Sequence, residues 1–397
     1  MASKAPFIAM DFVSSRIASL EPSMTLAITA QAQAMIKEGK DVCSFGAGEP
    51  DADAADFIKE AAINALNAGK TKYTPSSGMI ELREAIAEKL LVENKLEYSP
   101  VQVAVNCGAK HSCFNALFAC CDAGDEVIIP APYWTSYPEM VRMIGAEPVI
   151  IETQQKNGWK ITAEEFENAM SPKTKMIIIN SPGNPTGAVY SEEELRAIAE
   201  VAEGEDILIL SDEIYEKLVY DETPHFSIGS ISPTIRDLTI TVGGFSKAYS
   251  MTGWRLGYTA ASPEIAKAID ILQSHSTSNA TTFAQYGALA AIKADQAVVD
   301  DMRDEFDVRR QYMLGRLQSI NNVSVVEPKG AFYMLVNIGE MGLTSVNFAG
   351  KLLSRHEVAV VPGEAFGADN TVRMSYACGL DVIKEGLDRF EKFCREH

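Results

Sequence analysis

The sequence predicts an α/β protein with a mostly parallel sheet, and two patterns along the chain support that class. Short β-branched runs alternate with helical patterns, and those runs are apolar throughout. Strands of this kind occur in parallel sheets that helices cover on both faces. The C-terminal third has a different pattern, which predicts a smaller α+β domain.

The predicted strands divide into two groups along the chain, which suggests two domains. We place an N-terminal arm and part of the small domain at 1–50, a large domain at 51–290 and a small C-terminal domain at 291–397. Ser191 and Glu194 have the spacing of a capping box, which predicts a helix start. The runs are VAVNCG (103–108), EVIIP (126–130), MIIIN (176–180), ILILSD (207–212) and LTITVG (238–243), and then AFYMLVNI (331–338), VAVVPG (358–363) and TVRMSYACG (371–379).

Composition limits the partners of the chain. Its 397 residues are 47% hydrophobic and carry a formal charge of −19, with no basic cluster. Nucleic acid and anionic membranes are therefore poor partners, and small molecules are better ones. Seven cysteines without a Cys-x-x-Cys pair argue against a disulfide framework or a zinc site, and we expect no metal. The N-terminal residues lack an apolar signal region, so we expect a cytoplasmic protein.

Polar side chains follow the apolar runs where ligands bind in open α/β sheets, beyond the carboxyl ends of the strands. Asp212 ends ILILSD, and Asn184 lies in the turn-rich loop after MIIIN. Lys247 and Arg255 follow LTITVG. A small-residue turn at 108–110 opens a helix after VAVNCG. These groups converge on one edge of the predicted sheet.

Such a set meets the needs of pyridoxal 5′-phosphate (PLP). Its aldehyde requires an amine, which Lys247 supplies, and its pyridine nitrogen stays protonated beside a carboxylate such as Asp212. Tyr215 and Asn184 are donors for its 3′-oxygen.

The PLP phosphate would take backbone N–H groups at a helix start together with a cation. Gly108, Ala109 and Lys110 offer the turn, and Arg255 offers the cation. Trp134, in PAPYWTSY, would provide an aromatic face over the ring.

Over nearly its whole length the chain resembles the class I aminotransferases of the fold-type I PLP family. The similarity is greatest to the bacterial and plastid aspartate/prephenate aminotransferase subgroup. It implies a seven-stranded sheet between helices in the large domain. The motifs that carry it are EPSMT (21–25), FGAGEPD (45–51), KYTPSSG (72–78), NCGAK (106–110), PAPYW (130–134), NSPGNPTG (180–187), SDEIYE (211–216), GFSKAYSMTGWRLGY (244–258), VPGEAFG (361–367) and VRMSYACG (372–379).

The resemblance assigns roles to several residues. Lys247 would form the Schiff base with PLP and transfer protons, and Asp212 would pair with the pyridinium. Arg373 would bind the substrate α-carboxylate as a bidentate fork, supported by the backbone of Gly48. Trp134 and Asn184 would also contact the substrate.

Two features concern the phosphate and the assembly. A tyrosine in the position of Tyr73 reaches the phosphate of the partner's PLP, so the resemblance implies a homodimer with shared active sites. Many relatives have a serine three residues before the lysine, whereas this chain has Gly244 there and Ser246 beside the lysine. Which hydroxyl binds the phosphate is open at this point.

Lys110, Ser23 and Thr25 occupy positions that bind a distal carboxylate in this subgroup. We therefore expect L-aspartate or glutamate as amino donor, with 2-oxoglutarate or oxaloacetate as acceptor. Prephenate and LL-diaminopimelate aminotransferases are the nearest alternatives. A PLP lyase without transamination, or a non-catalytic regulator, is a more distant one.

Overall fold

The computed structural model describes residues 12–18, 20 and 24–397. In chain order its α-helices are α1 (Ser15–Ala18), α2 (Met24–Lys37), α3 (Asp56–Asn67), α4 (Ile80–Asn94), α5 (Ala109–Cys120), α6 (Ser136–Met143), α7 (Ala163–Ala169), α8 (Glu192–Gly204), α9 (Pro233–Leu238), α10 (Pro263–Ser276), α11 (Thr282–Lys293), α12 (Ala297–Gln318), α13 (Ser345–His356) and α14 (Leu380–Glu396).

The strands form three sheets. They are β1 (Cys43–Ser44), β2 (Val103–Asn106), β3 (Glu126–Ala131), β4 (Glu147–Glu152), β5 (Thr174–Asn180), β6 (Leu208–Asp212), β7 (Thr239–Gly244), β8 (Gly257–Ala260), β9 (Ser324–Val325), β10 (Tyr333–Asn337), β11 (Val358–Ala359), β12 (Val361–Pro362) and β13 (Thr371–Ser375).

The largest sheet has seven strands in the order β2-β8-β7-β6-β5-β3-β4. Strands β3 to β7 are parallel to their neighbours in this group, and β8 is antiparallel to both β2 and β7. The predicted mostly parallel α/β class is therefore confirmed. Two strands of this sheet were not among the predicted runs: β4 lies at an edge and is half-exposed, and β8 is the short run GYTA. The two-residue strands β1 and β9 of the other sheets were not predicted either.

The C-terminal strands form a four-stranded antiparallel sheet, β12-β13-β10-β9. The run VAVVPG divides between two sheets, since β11 pairs in parallel with β1 and β12 pairs with β13. The N-terminal segment is thereby hydrogen-bonded to the C-terminal third. The domain boundaries near residues 50 and 290 stay a prediction.

Strand β5 shows why the sheet strands are apolar throughout. Met176 and Ile178 pack in one core cluster, whereas Ile177 and Ile179 pack in another on the opposite face. Each such side chain contributes roughly 1.5–3 kcal/mol when buried. Both faces of the strand are therefore covered, and no polar alternation remains.

Helix α8 begins as the sequence predicts. The Ser191 side chain accepts a hydrogen bond from the Glu194 backbone N–H, and the Glu194 carboxylate accepts one from the Ser191 N–H. None of the helices within the described ranges combines the length and apolar character that crossing a bilayer requires.

Candidate active site

A cavity of about 260 Å³ lies beyond the carboxyl ends of β5, β6 and β7 and against β13. Residues of the seven-stranded sheet and of the four-stranded sheet both line it. Of the residues singled out in the sequence, it is lined by Thr25, Gly48, Ala109, Lys110, Trp134, Asn184, Asp212, Tyr215, Ser246, Lys247, Arg255 and Arg373.

Asp212 is the last residue of β6 and is only 3% exposed. Its Oδ2 accepts a 2.6 Å hydrogen bond from the Tyr137 hydroxyl, and its Oδ1 accepts one from the Ile214 N–H at 3.2 Å. No salt bridge joins it to any residue in the described ranges, and burial raises the pKa of its carboxyl. A buried, unpaired carboxylate at a cavity wall favours a cationic ligand.

Lys247 lies three residues after β7, with its amine in the cavity. Its Nζ donates a 2.5 Å hydrogen bond to the Gly48 carbonyl. Burial lowers the pKa of this amine to about 8; the Glu49 carboxylate opposes that shift, and the Arg373 guanidinium adds to it. The amine is thus more readily neutral, and so nucleophilic, than an ordinary lysine.

Tyr215 and Asn184 are both buried beside this amine and carboxylate. The Tyr215 hydroxyl lies 3.0 Å from the Tyr333 hydroxyl, and burial raises the pKa of Tyr215 well above its usual value. The backbone N–H of Asn184 donates to Asn180 Oδ1 at 2.9 Å, which fixes the loop after β5. Two neutral donors therefore stand near the carboxyl end of β6.

The start of α5 forms a backbone cradle. Gly108 has φ +93 and precedes the first helical residue, Ala109. Ala109 and Lys110, in the first turn where helix N–H groups lack intrahelical partners, line the cavity. The Arg255 guanidinium packs on Gly108, where a Cβ would lie 2.5 Å from Nη2. A Cβ on Gly257 would lie 2.3 Å from the Ala109 nitrogen. Helix dipole and guanidinium together suit a phosphate dianion.

Gly244 lies at a tightly packed position. A Cβ there would lie 3.0 Å from Ile214 Cδ1 and 3.1 Å from the Gly257 Cα. A side chain at 244 would therefore need the Ile214 side chain and the facing β8 backbone to give by a few tenths of an ångström. Ser246, by contrast, is a buried residue that lines the cavity.

Arg373, on β13, is 3% exposed and faces the cavity. Its Nη1 donates to Asn184 Oδ1 at 3.0 Å and its Nη2 to the Gly46 carbonyl at 3.1 Å. Among the described residues its Nε has no hydrogen-bond partner and no carboxylate pairs with it, and burial lowers its pKa. A buried guanidinium in this state has the charge and the donors for a carboxylate ligand.

The remaining predicted residues lie in three different settings. Lys110 Nζ lies 4.9 Å from the centre of the Trp134 ring, and Thr25 lines the same cavity from α2. Tyr73 is 90% exposed and does not line the cavity. Ser23 lies outside the described residues.

Two tyrosines at the site were missed in the sequence. Tyr137 follows the carboxyl end of β3, so the strand-end rule that selected Asp212 could have selected it as well. Tyr333 lies in the apolar run AFYMLVNI (331–338), whose sequence predicts core residues. However, β10 residues 333 and 335 pair with β13 residues 375 and 373, so alternation places Tyr333 on the Arg373 face. The Arg373 guanidinium lies 4.4 Å from the Tyr333 ring centre.

The sheet order and the cavity residues indicate a PLP-dependent enzyme, and comparison with known families agrees with that class. Residues 40–390 match the model of the family described as aminotransferase class I and II. The chain belongs to that family. The predicted resemblance, the aminotransferase chemistry and the PLP cofactor are thereby confirmed.

Two relatives and one solved structure show which aminotransferases the chain is similar to. The chain is 47% identical to the aspartate aminotransferase of Bacillus sp. strain YM-2, over 97% of this chain and 100% of the relative. It is 48% identical to a probable aspartate/prephenate aminotransferase of Aquifex aeolicus, over 97% and 99% of the two chains. The structure superposes on the Thermus thermophilus aspartate aminotransferase with maleate at a TM-score of 0.93, with 42% identity and coverage of 97% and 100%.

The close approach of Gly257 to the start of α5 leads to a testable prediction. Gly257→Ala should displace the Gly108–Ala109 backbone and weaken PLP binding by about tenfold or more, because the first-turn N–H groups no longer converge. The measurement is the PLP dissociation constant of the cofactor-free protein. Gly253→Ala is the control, since nothing lies within 4 Å of a Cβ there. Equal constants for both variants and the parent would contradict this description of the cradle.

The lowered pKa of the Lys247 amine leads to a second prediction. In cofactor-free protein, labelling of Lys247 by an amine-selective reagent should reach half its maximal rate near pH 8, since burial disfavours the ammonium form. Mass spectrometry of the labelled peptide gives the rate. Unfolded protein is the control, where the midpoint should move up toward the ordinary value of 10.5. The same midpoint in both states would show that the fold does not perturb this amine.

Proposed function

We propose that the protein transfers the amino group of L-aspartate, or of glutamate, to a 2-oxo acid such as 2-oxoglutarate or oxaloacetate, in two half-reactions of the ping-pong type. The observation that carries the proposal is the pair of buried, uncompensated charges in one cavity. Asp212 favours a cation and Arg373 favours a carboxylate. An amine, Lys247, lies in the same cavity.

The residues present fit PLP. Lys247 would carry it, Asp212 would lie against its protonated ring nitrogen, and Tyr215 with Asn184 would donate to its 3′-oxygen. For the phosphate, the α5 N-terminus supplies N–H groups and Arg255 a cation. The cavity position of Ser246, and the crowding at Gly244, support Ser246 as the hydroxyl that serves the phosphate. Trp134 would cover the ring.

When bound, PLP supplies an aldehyde for the amino group and a cationic ring that stabilises negative charge at the substrate Cα. Arg373 would bind the α-carboxylate through two parallel hydrogen bonds, because its guanidinium is planar and held by Asn184 and Gly46. That fixes Cα in front of Lys247.

Lys247 Nζ would then remove the proton from the substrate Cα and deliver it to the C4′ carbon of PLP. A general base works best when its pKa lies near the working pH, and a value of about 8 meets that condition better than the ordinary lysine value. The Gly48 carbonyl holds this amine by a hydrogen bond, so Gly48 contributes through its backbone. Holding Cα and Nζ in place supplies much of the acceleration.

The dicarboxylate preference rests on the outer part of the cavity and on the relatives. Lys110, beside Trp134, and Thr25 offer an ammonium and a hydroxyl for a distal carboxylate. Relatives at 46–48% identity are named aspartate aminotransferases or, in Aquifex, a probable aspartate/prephenate aminotransferase. Prephenate, which also has two carboxylates, is therefore the second candidate, and LL-diaminopimelate a third.

The assembly and location are parts of the same proposal. Tyr73 is highly exposed in the single chain, which supports a homodimer in which it reaches the partner's site. The protein would act in the cytoplasm on small molecules.

A panel of amino donors and 2-oxo acids tests the function. We expect aspartate with 2-oxoglutarate to give equal amounts of oxaloacetate and glutamate. Lys247→Ala should lower turnover by at least about a thousandfold, since both the carrier amine and the base are lost. Release of CO₂ or ammonia in place of a new amino acid would contradict transamination. A strict preference for aromatic or aliphatic donors would contradict the dicarboxylate assignment alone.

A further inference from the structure

One short segment touches the functional groups on both sides of the cavity. We call residues 46–51, which follow β1, the bridging segment. The Gly46 carbonyl accepts from Arg373 Nη2 at 3.1 Å, and the Gly48 carbonyl accepts from Lys247 Nζ at 2.5 Å. The substrate-binding arginine and the carrier lysine therefore share one stretch of backbone.

A third contact extends the segment toward the phosphate cradle. The Thr252 hydroxyl donates to Glu49 Oε2 at 2.6 Å, and the Thr252 carbonyl accepts from Arg255 Nη1 at 2.8 Å. Movement of the bridging segment would therefore displace hydrogen-bond partners of Arg373 and Lys247 directly, and of Arg255 through Thr252.

The N-terminal end of the segment is fixed by backbone pairing. The N–H of Phe45 donates to the Ala359 carbonyl at 2.8 Å, and its carbonyl accepts from the Ser375 N–H at 2.9 Å. Phe45 is fully buried. This end is held to β11 and β13 without help from charged groups.

The other end of the segment is fixed by an ion pair. Arg309, on α12, is 6% exposed, and its Nη1 donates to Asp51 Oδ1 at 2.9 Å. Its second carboxylate partner, Glu305, is largely exposed, whereas the Asp51 side chain is about two-thirds buried. The better-shielded charge pair is therefore the one that reaches across to the bridging segment.

The middle of the segment, at Gly48 and Glu49, has little packing of its own. Both residues are exposed and Gly48 has no side chain, whereas Gly46 and Pro50 on either side are buried. Backbone of this kind keeps its conformation only when its ends and its hydrogen bonds restrain it.

We propose that Arg309 and Asp51 are positioning residues: their ion pair fixes the C-terminal end of the bridging segment, and the Gly46 and Gly48 carbonyls pass that restraint to Arg373 and Lys247. The inference rests on the proposed function, because it assumes that Arg373 binds a substrate carboxylate. Neither Arg309 nor Asp51 lines the cavity.

Loss of either partner should therefore weaken carboxylate binding from a distance. In Asp51→Ala and in Arg309→Met the segment is held only at its Phe45 end, so the Gly48 carbonyl beside Lys247 shifts most and the Gly46 carbonyl beside Arg373 shifts less. A displaced guanidinium loses part of the strength of its charged hydrogen bonds to the ligand, which lowers affinity by roughly tenfold. Arg309→Lys keeps the charge and should recover part of the loss.

The experiment measures binding of maleate to the PLP-loaded enzyme by calorimetry. Maleate is a dicarboxylate with no amino or oxo group, so it binds without turnover. The variants are Asp51→Ala, Arg309→Met and the double variant, with the thermal unfolding midpoint recorded for each. The matched control is Arg316→Met, which removes another α12 arginine whose ion pairs, with Asp388 and Glu391, stay within the C-terminal helices.

We expect each single variant to weaken maleate binding about tenfold, and the double variant to be no weaker than the singles, since both remove one interaction. The control should lower the unfolding midpoint and leave maleate affinity within twofold of the parent. Unchanged affinity in Asp51→Ala, or losses that multiply in the double variant, would overturn the proposal. If Arg309→Met does not fold, Asp51→Ala against Arg309→Lys still decides. Parent enzyme that neither binds maleate nor transaminates aspartate would instead refute the proposed function.

Discussion

The structure depends on keeping two opposite charges buried and apart in one cavity. Asp212 and Arg373 are each 3% exposed, and neither has an oppositely charged partner among the described residues. Burying an unpaired ion costs several kcal/mol even after local relaxation. Hydrogen bonds with neutral groups offset part of that cost: the Tyr137 hydroxyl donates to the carboxylate, and the Asn184 amide oxygen accepts from the guanidinium. A cationic ring and a substrate carboxylate would supply the missing counter-charges.

Rigid elements maintain the separation. Asp212 ends a central strand of the seven-stranded sheet, whereas Arg373 lies within the four-stranded sheet. The turn after Asp212 is fixed from behind, because Glu216 pairs with the buried Lys89 of α4 and also accepts from Asn94 at 2.7 Å. Side chains of this turn therefore alternate between the cavity, as with Tyr215, and a buried ionic cluster that stiffens it.

Much of this arrangement follows from local pattern. Apolar runs predict the parallel strands, and the rule that ligands bind at carboxyl ends selects Asp212, Asn184 and Lys247. Contacts between distant parts of the chain cannot be obtained that way. Tyr333 lies in an apolar run that predicts core residues, and only the pairing of β10 with β13 places it beside Arg373. The Asp51–Arg309 pair joins residues 258 positions apart, and the role proposed for Tyr73 requires a second chain.

The most direct test of the central claim is the free energy of unfolding of Asp212→Asn, measured with and without PLP. Asparagine removes the buried charge and can keep both contacts, since its Oδ1 accepts from the Ile214 N–H and its Nδ2 donates to the Tyr137 hydroxyl oxygen, which rotates its own hydrogen away. Without PLP we expect the variant to be more stable than the parent by about 1 kcal/mol or more, and with PLP to gain much less stability than the parent does. A variant that is less stable without PLP, and that PLP stabilises as much as the parent, would contradict the account.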